Sequence, residues 1–172
     1  KIFVLCELFH REKEGTFSFD DRHILLESEK SIGSGILESA EISSLFSIME
    51  SMFDNPGDLF QTTGCAHSCA LVTDGVIQCS MEDIGRHNAL DKVIGYALKN
   101  GISIGNSIVF TSGRISRDYL QKVIKAGFRI VVSRAAVTAS AVALARKENI
   151  TMLGFIRRNG GNIYHVGDVA LF

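Results

Sequence analysis

The chain has 172 residues, 46% of them apolar and 22% charged, with a formal net charge of -1. That composition fits one globular domain that buries roughly two thirds of its unfolded surface without disulfide staples. It argues against a general nucleic-acid binder, which is usually basic, and no apolar run approaches the roughly 18 residues needed to span a bilayer.

Taken in chain order, Ile2 to Phe9 reads as a strand, residues 10–20 as a polar loop, and Arg22 to Glu27 as a second short strand closing a front hairpin. Residues 30–35 are small and flexible, Lys-Ser-Ile-Gly-Ser-Gly. Leu45, Ile48, Met49 and Phe53 then recur at helical spacing, and Asn55-Pro56-Gly57 stops that helix. Ser68 to Val72 and Val76 to Met81 flank Thr73-Asp74-Gly75, and Asp-Gly suits the tight turn of a hairpin. Asp83 is placed to cap a helix that runs to about Lys99 and carries an apolar stripe of Ile84, Leu90, Val93, Ile94, Ala97 and Leu98. Asn100-Gly101 ends it.

From there strands and helices alternate. Strands are expected at Ser107 to Thr111, Arg129 to Ser133, Thr151 to Ile156 and Asn162 to Val166, with helices at Ser116 to Ala126 and Thr138 to Lys147. This alternation implies a three-layer α/β/α sandwich around a mostly parallel sheet. The whole chain reads as a single domain: a front hairpin (1–30), a linker and helix (31–58), and an α/β core (60–172).

Ligands of open α/β sheets bind beyond the carboxyl ends of the strands. Three such ends carry arginine beside small residues: Ser112-Gly113-Arg114, Ser133-Arg134, and Phe155-Ile156-Arg157-Arg158-Asn159-Gly160. Arginine forks fit phosphate oxygens, and helix N-termini add amide donors. A shared rim for a pyrophosphate follows, weighed against arginines that merely solvate loops. The G-x-G-x-x-G dinucleotide motif is absent.

The densest stretch is residues 82–92, which holds Glu82, Arg86, His87, Asn88, Asp91 and Lys92. A plain solvated face would pair His87 with Asp91 and Asn88 with Lys92 at i, i+4. Histidine, asparagine and the early Gly85 are poor choices for stability alone, so a functional helix start is favoured. Cys65, His67 and Cys69 would share one strand face and superficially resemble a metal site. A zinc site needs about four ligands, and no paired C-x-x-C exists, so no metal is assigned.

These residues resemble the FdhD/NarQ family of formate dehydrogenase accessory proteins. The resemblance rests on residues 63–67 (Thr-Gly-Cys-Ala-His), the E-D-x-G-R-H-N-A-x-D-K block at 82–92, Ser112 to Ser116, Ser133 to Thr138, and Gly154 to Arg157. It covers about residues 60–172.

The resemblance implies a cytidine deaminase-like α/β/α fold without zinc ligands. It also implies sulfur transfer from a cysteine desulfurase to the molybdenum bis(molybdopterin guanine dinucleotide) cofactor, and service to formate dehydrogenase. It implies a homodimer and a cofactor-binding segment at Phe155 to Gly160, while four cysteines with no secreted disulfide framework point to a reducing cytoplasm. His67, Glu82, Arg86, His87, Asn88, Asp91 and Lys92 join the strand-end arginines as candidate cofactor-binding residues.

The family's sulfur-bearing C-G-x-C-G loop falls on Ser31-Ile32-Gly33-Ser34-Gly35, and serine cannot form a persulfide. Three possibilities stay open. The chain binds cofactor as a chaperone without moving sulfur; or Cys65 or Cys69 has taken the sulfur role; or the match over the front segment is misplaced. The front of the family's N-terminal region is expected upstream of Lys1.

Overall fold

The computed structural model describes residues 39–158 and 160–171. The expected front hairpin, Ser31, Ser34 and Asn159 lie outside the described residues. In chain order the elements are β1 (Ser39–Ala40), α1 (Ile42–Asp54), α2 (Asp58–Thr63), β2 (His67–Thr73), β3 (Val76–Asp83), α3 (Arg86–Lys99), β4 (Ser107–Thr111), α4 (Arg117–Ala126), β5 (Ile130–Ser133), α5 (Ala139–Lys147), β6 (Thr151–Arg157), β7 (Gly160–His165) and β8 (Ala170–Leu171).

Among the described residues one six-stranded sheet runs β3-β2-β4-β5-β6-β7, and β1 and β8 form a separate two-stranded ladder. Strand alternation sorts the core into two layers. Ala70, Val72, Ile108, Phe110, Ile130, Val132 and Leu153 face α1, which buries Leu45, Met49 and Met52 against them. Cys69, Leu71, Val109, Val131 and Met152 face the apolar stripes of α3, α4 and α5. The result is an α/β/α sandwich.

The sheet is mixed, where a mostly parallel one was expected. Only β4–β5 and β5–β6 are parallel; β2–β3, β2–β4 and β6–β7 are antiparallel. The cause is local. Asp74 (φ 52°) and Gly75 (φ 74°) both adopt the left-handed conformation that a two-residue hairpin turn requires. Helical crossovers between neighbouring strands occur only where α4 and α5 join β4 to β5 and β5 to β6, while α3 joins β3 to β4 across β2.

This topology decides where the site can lie. Because β2 runs opposite to β4, its first residues, with the last residues of β3, stand at the same edge as the carboxyl ends of β4, β5 and β6. Cys69 pairs with Thr111 and His67 with Asp83.

Helices α4 and α5 do not start at the strand ends. The links Gly113 to Ser116 and Arg134 to Thr138 run side by side, bridged at Ile115 and Val137. Ser116 and Thr138 then cap the helices with their hydroxyls, accepting from the amides of Tyr119 (3.3 Å) and Ala141 (3.3 Å).

Candidate functional site at the carboxyl rim

The rim is assembled by short polar contacts between neighbouring strands. Ser112 is zipped to β2: its amide donates to Ser68 O (2.9 Å), and its Oγ accepts from the Ser68 amide (2.9 Å). The same Oγ lies 3.4 Å from His67 Nδ1. The Gly113 amide donates to Thr111 Oγ1 (3.1 Å), and Ser133 Oγ donates to Gly113 O (2.8 Å).

Arg86, the first residue of α3, lies across Gly113. A Cβ at Gly113 would meet Arg86 Cβ at 2.9 Å, Arg86 Cδ at 3.0 Å and His67 Nδ1 at 3.4 Å. Glycine is therefore what lets a guanidinium stem cross the strand end. Arg86 Nε is buried, with no hydrogen-bond partner among the described residues. An orphaned charged donor of this kind is costly unless something anionic completes it.

These groups also act on one another electrostatically. Burial lowers the pKa of His67, with the positive charges of Arg86 and then Arg114 adding to the effect. Desolvation also lowers His87, followed by Arg86 and Lys122, while Asp91 and Asp118 oppose. The His87 ring meets Tyr119 edge-on, with centroids 5.4 Å apart.

Thus His67, Arg86, Ser112, Gly113 and Arg114 form one cationic cradle on the α3 side of the sheet end. Ser133 supports it from below. Arg134 and Arg158 come from the same end of the sheet but lean to the α1 side. Arg134 lies over the Phe53 ring at 3.7 Å and stands 3.6 Å from Glu50, with Arg158 3.8 Å from the same carboxylate.

Arg157 is exposed next to them. Ile156 is a core residue, 1% exposed. Phe155 holds φ 55° at an irregularity between β6 and β7, its amide donating to Ala135 O (3.1 Å). A bulky residue in the left-handed region is uncommon and marks a locally strained strand end. Gly160 pairs with Arg157 across the turn at φ 145°.

Several candidates bind other parts of the fold. Glu82 Oε2 accepts the amides of Leu59 (2.9 Å) and Phe60 (3.4 Å), anchoring the start of α2. That fixes the path of the Gly64-Cys65-Ala66 turn into His67. Asp83 is not the helix cap, because α3 begins only at Arg86. Its Oδ1 accepts from the Gly85 amide (2.9 Å) and Asn88 Nδ2 (3.1 Å), and its Oδ2 pairs with Lys92 (2.8 Å). Lys92 also donates to Glu82 O (2.7 Å).

In place of the i, i+4 pairs of a plain solvated face, α3 makes contacts to neighbouring elements. Asn88 and Lys92 serve the Glu82–Asp83 turn, while Asp91 pairs with Lys122 of α4 at 2.7 Å. Glu50, Thr111, Tyr119 and Lys122 also shape the rim, though no sequence motif marks them. Only Glu50 left a local trace, as an acid inside an apolar helical stripe.

The cysteines divide sharply. Cys69 is fully buried in the core, its Sγ 3.7 Å from Tyr119 Oη. Burial pushes its thiol up to about 12. A protonated core thiol is a poor sulfur carrier, which removes Cys69 from that role in this conformation. Cys65 is exposed in the turn before β2, so the two do not share a strand face with His67. Among the described residues no three His, Cys, Asp or Glu side chains are arranged to hold a metal ion. No described helix is long and apolar enough to cross a membrane.

Fold and rim together define a mixed-sheet α/β protein with a positively charged cradle at the carboxyl edge. The FdhD/NarQ family model matches residues 21–169, and the chain belongs to that family. It is 44% identical over 121 residues to the sulfur carrier protein FdhD of Halalkalibacterium halodurans, covering 70% of this chain and 44% of that protein. It is 37% identical over 145 residues to that of Bacillus subtilis, covering 83% of this chain and 55% of that protein. The chain thus spans about half the length of the curated relatives it matches.

Among solved structures, a formate dehydrogenase accessory protein from Desulfotalea psychrophila superposes with a TM-score of 0.68 at 30% identity. That match covers 78% of this chain and 59% of that one. Overlap with the dCMP deaminase of the cyanophage S-TIM5 is weaker, at TM-score 0.48 and 18% identity over 63% of this chain and 97% of that one.

Proposed function

We propose that this protein is a sulfur carrier in formate dehydrogenase maturation, holding the molybdenum bis(molybdopterin guanine dinucleotide) cofactor as cargo on its rim. It receives sulfur from a cysteine desulfurase, passes it to the cofactor, and serves formate dehydrogenase as client. Family membership and similarity to proteins named sulfur carriers support the role. The observation that carries the cargo site is the buried, unpartnered Arg86 Nε lying over Gly113 beside His67.

In the binding step, Arg86 and Arg114 supply charge-assisted donors to the phosphate oxygens. Burial, and then those two cations, lower the pKa of His67. An arriving phosphate reverses that balance, so His67 takes up a proton as the anion binds. Ser112, tied to both strands, keeps the His67 ring in place. Arg157, exposed at the end of β6, is placed to reach a second phosphate group of the cargo.

In the sulfur step, a thiolate of the chain attacks the outer sulfur of the desulfurase persulfide. A new S–S bond forms, the old one breaks, and the desulfurase cysteine leaves as thiolate. Cys65, exposed in the turn before His67, is the described cysteine with the access this needs. The reducing cytoplasm suits the chemistry, and the working unit in this reading is a homodimer.

A second reading is a cofactor chaperone that moves no sulfur. The serines at 31 and 34 and the buried, protonated Cys69 favour it. Mass spectrometry after incubation with a cysteine desulfurase and cysteine separates the two. One added sulfur on the Cys65 peptide supports the carrier; no added sulfur, with guanosine diphosphate binding intact, supports the chaperone. For the cargo site, calorimetry with guanosine diphosphate should show Arg86→Ala, Arg114→Ala and Arg157→Ala each losing roughly 1–3 kcal/mol. Wild-type affinity in all three would refute the rim.

A further inference from the structure

The two arginines on the α1 side share one carboxylate. Arg134 Nη1 stands 3.6 Å from Glu50 Oε1, and Arg158 Nε stands 3.8 Å from Glu50 Oε2. Both distances suit an ion pair but are too long for hydrogen bonds. Arg134 Nη1 is buried and has no hydrogen-bond partner among the described residues. The Arg134 guanidinium is also held from below, 3.7 Å above the Phe53 ring. Glu50 therefore neutralises charge without using the donors.

The elements that bring these groups together are distant in sequence. Glu50 and Phe53 lie one turn apart on α1, Arg134 leaves the end of β5, and Arg158 sits on the β6–β7 turn. Arg134 and Glu50 are about three quarters shielded, at 27% and 21% side-chain exposure, whereas Arg158 is 78% exposed. Arg134 is thus the principal partner.

We propose that Glu50 is a resident counter-ion occupying an anion seat formed by Arg134 and Arg158, so that a phosphate group binds there only by displacing it. The proposal rests on the reading that this rim takes phosphates, and adds a built-in competitor to it. A singly charged anion gains little from replacing a carboxylate already in place. A diphosphate brings more charge and enough oxygens to use the idle donors, so the seat selects for multiply charged phosphate. Linkage is reciprocal: if Glu50 opposes the diphosphate, the diphosphate must loosen Glu50 and the end of α1.

The test uses the full chain, with pyrophosphate as the probe. Calorimetry on wild type, Glu50→Gln and Glu50→Ala, each checked for fold by circular dichroism, reads the competition. Both variants should bind pyrophosphate roughly three- to tenfold tighter, the range a competing, partly shielded ion pair supports. Adding Arg134→Ala should cancel the gain. In wild type, pyrophosphate should speed hydrogen exchange at residues 52–54.

Equal or weaker binding by both variants, or no binding by any form, overturns the proposal. Guanosine diphosphate affinity that falls in Arg86→Ala, with no gain at Glu50→Gln, would sink this proposal and keep the cofactor reading. A gain at Glu50→Gln, with affinity indifferent to Arg86 and Arg114, would do the reverse.

Discussion

Gly113→Ala is the sharpest perturbation of the rim, because it adds one methyl group where Arg86 crosses the strand. The new carbon would lie 2.9 Å from Arg86 Cβ and 3.0 Å from Arg86 Cδ. Ordinary carbon contacts fall near 3.5–4.0 Å, so a shift of roughly 0.6–1 Å is needed. Arg86 Cδ can swing aside, but Cβ is fixed to the first residue of α3, so the helix start must move as well.

Overpacking of that kind costs about 1–3 kcal/mol, which lowers the melting temperature of a domain this size by roughly 2–4 °C per kcal/mol. Displacing the guanidinium also removes a charge-assisted hydrogen bond to a phosphate, worth about 1.5–3 kcal/mol, or a roughly 10- to 150-fold loss of affinity. Calorimetry with guanosine diphosphate and a thermal melt read the two effects separately. A variant that melts and binds like wild type would refute the placement of Arg86 over Gly113.

Three further outcomes follow from the same geometry. With limiting iodoacetamide at pH 8, mass spectrometry should find Cys65 alkylated and Cys69 untouched until the protein unfolds, because the Cys69 thiol is pushed up to about 12; equal labelling rates would contradict its burial. The Asp83 carboxyl drops from 3.8 to about 2, chiefly through Lys92 and then the Gly85 amide and Asn88. Its stabilising effect is therefore complete above the unfolded value and is lost as pH falls toward about 2. Melts should show Asp83→Asn less stable than wild type at pH 7, with the gap closing between pH 4 and pH 2; a gap independent of pH would remove Asp83 from the network. Because His67 is lowered by burial and by two cations, phosphate binding should favour its protonated form, so guanosine diphosphate affinity should rise as pH falls through the histidine range. His67→Ala should flatten much of that profile, with His87 accounting for the remainder; an unchanged profile would take His67 out of the cradle.

What the sequence made legible was local. Asp74-Gly75 announced its hairpin, and the helices expected from Ser116 and Thr138 begin one residue later, with those two residues as their caps, since each signal is written within a few residues. The mixed sheet was harder to read, because strand direction depends on which connections are hairpins and on β2 pairing with β4 across a helix. Helix α2 was missed for a related reason: its six residues carry little periodicity, and its anchor, Glu82, lies 23 residues beyond Leu59.

The site shows the same division. The arginines at the strand ends could be named in advance, but which face of the sheet each one takes follows from pleat alternation and neighbouring helices. Arg134 turns to Phe53 and Glu50, while Arg86, from a different motif, completes the cradle with His67. Glu82 looks chemical in sequence, yet it holds α2 in place, and Asp83, expected as a helix cap, braces the turn before α3.

A crystal structure of the full chain with guanosine diphosphate bound tests the cargo site most directly. The diphosphate is expected at the carboxyl edge, with a phosphate oxygen within hydrogen-bond distance of Arg86 Nε and the ligand reaching Arg114 or His67. A diphosphate bound away from that edge, with Arg86 Nε still unpartnered, would contradict it.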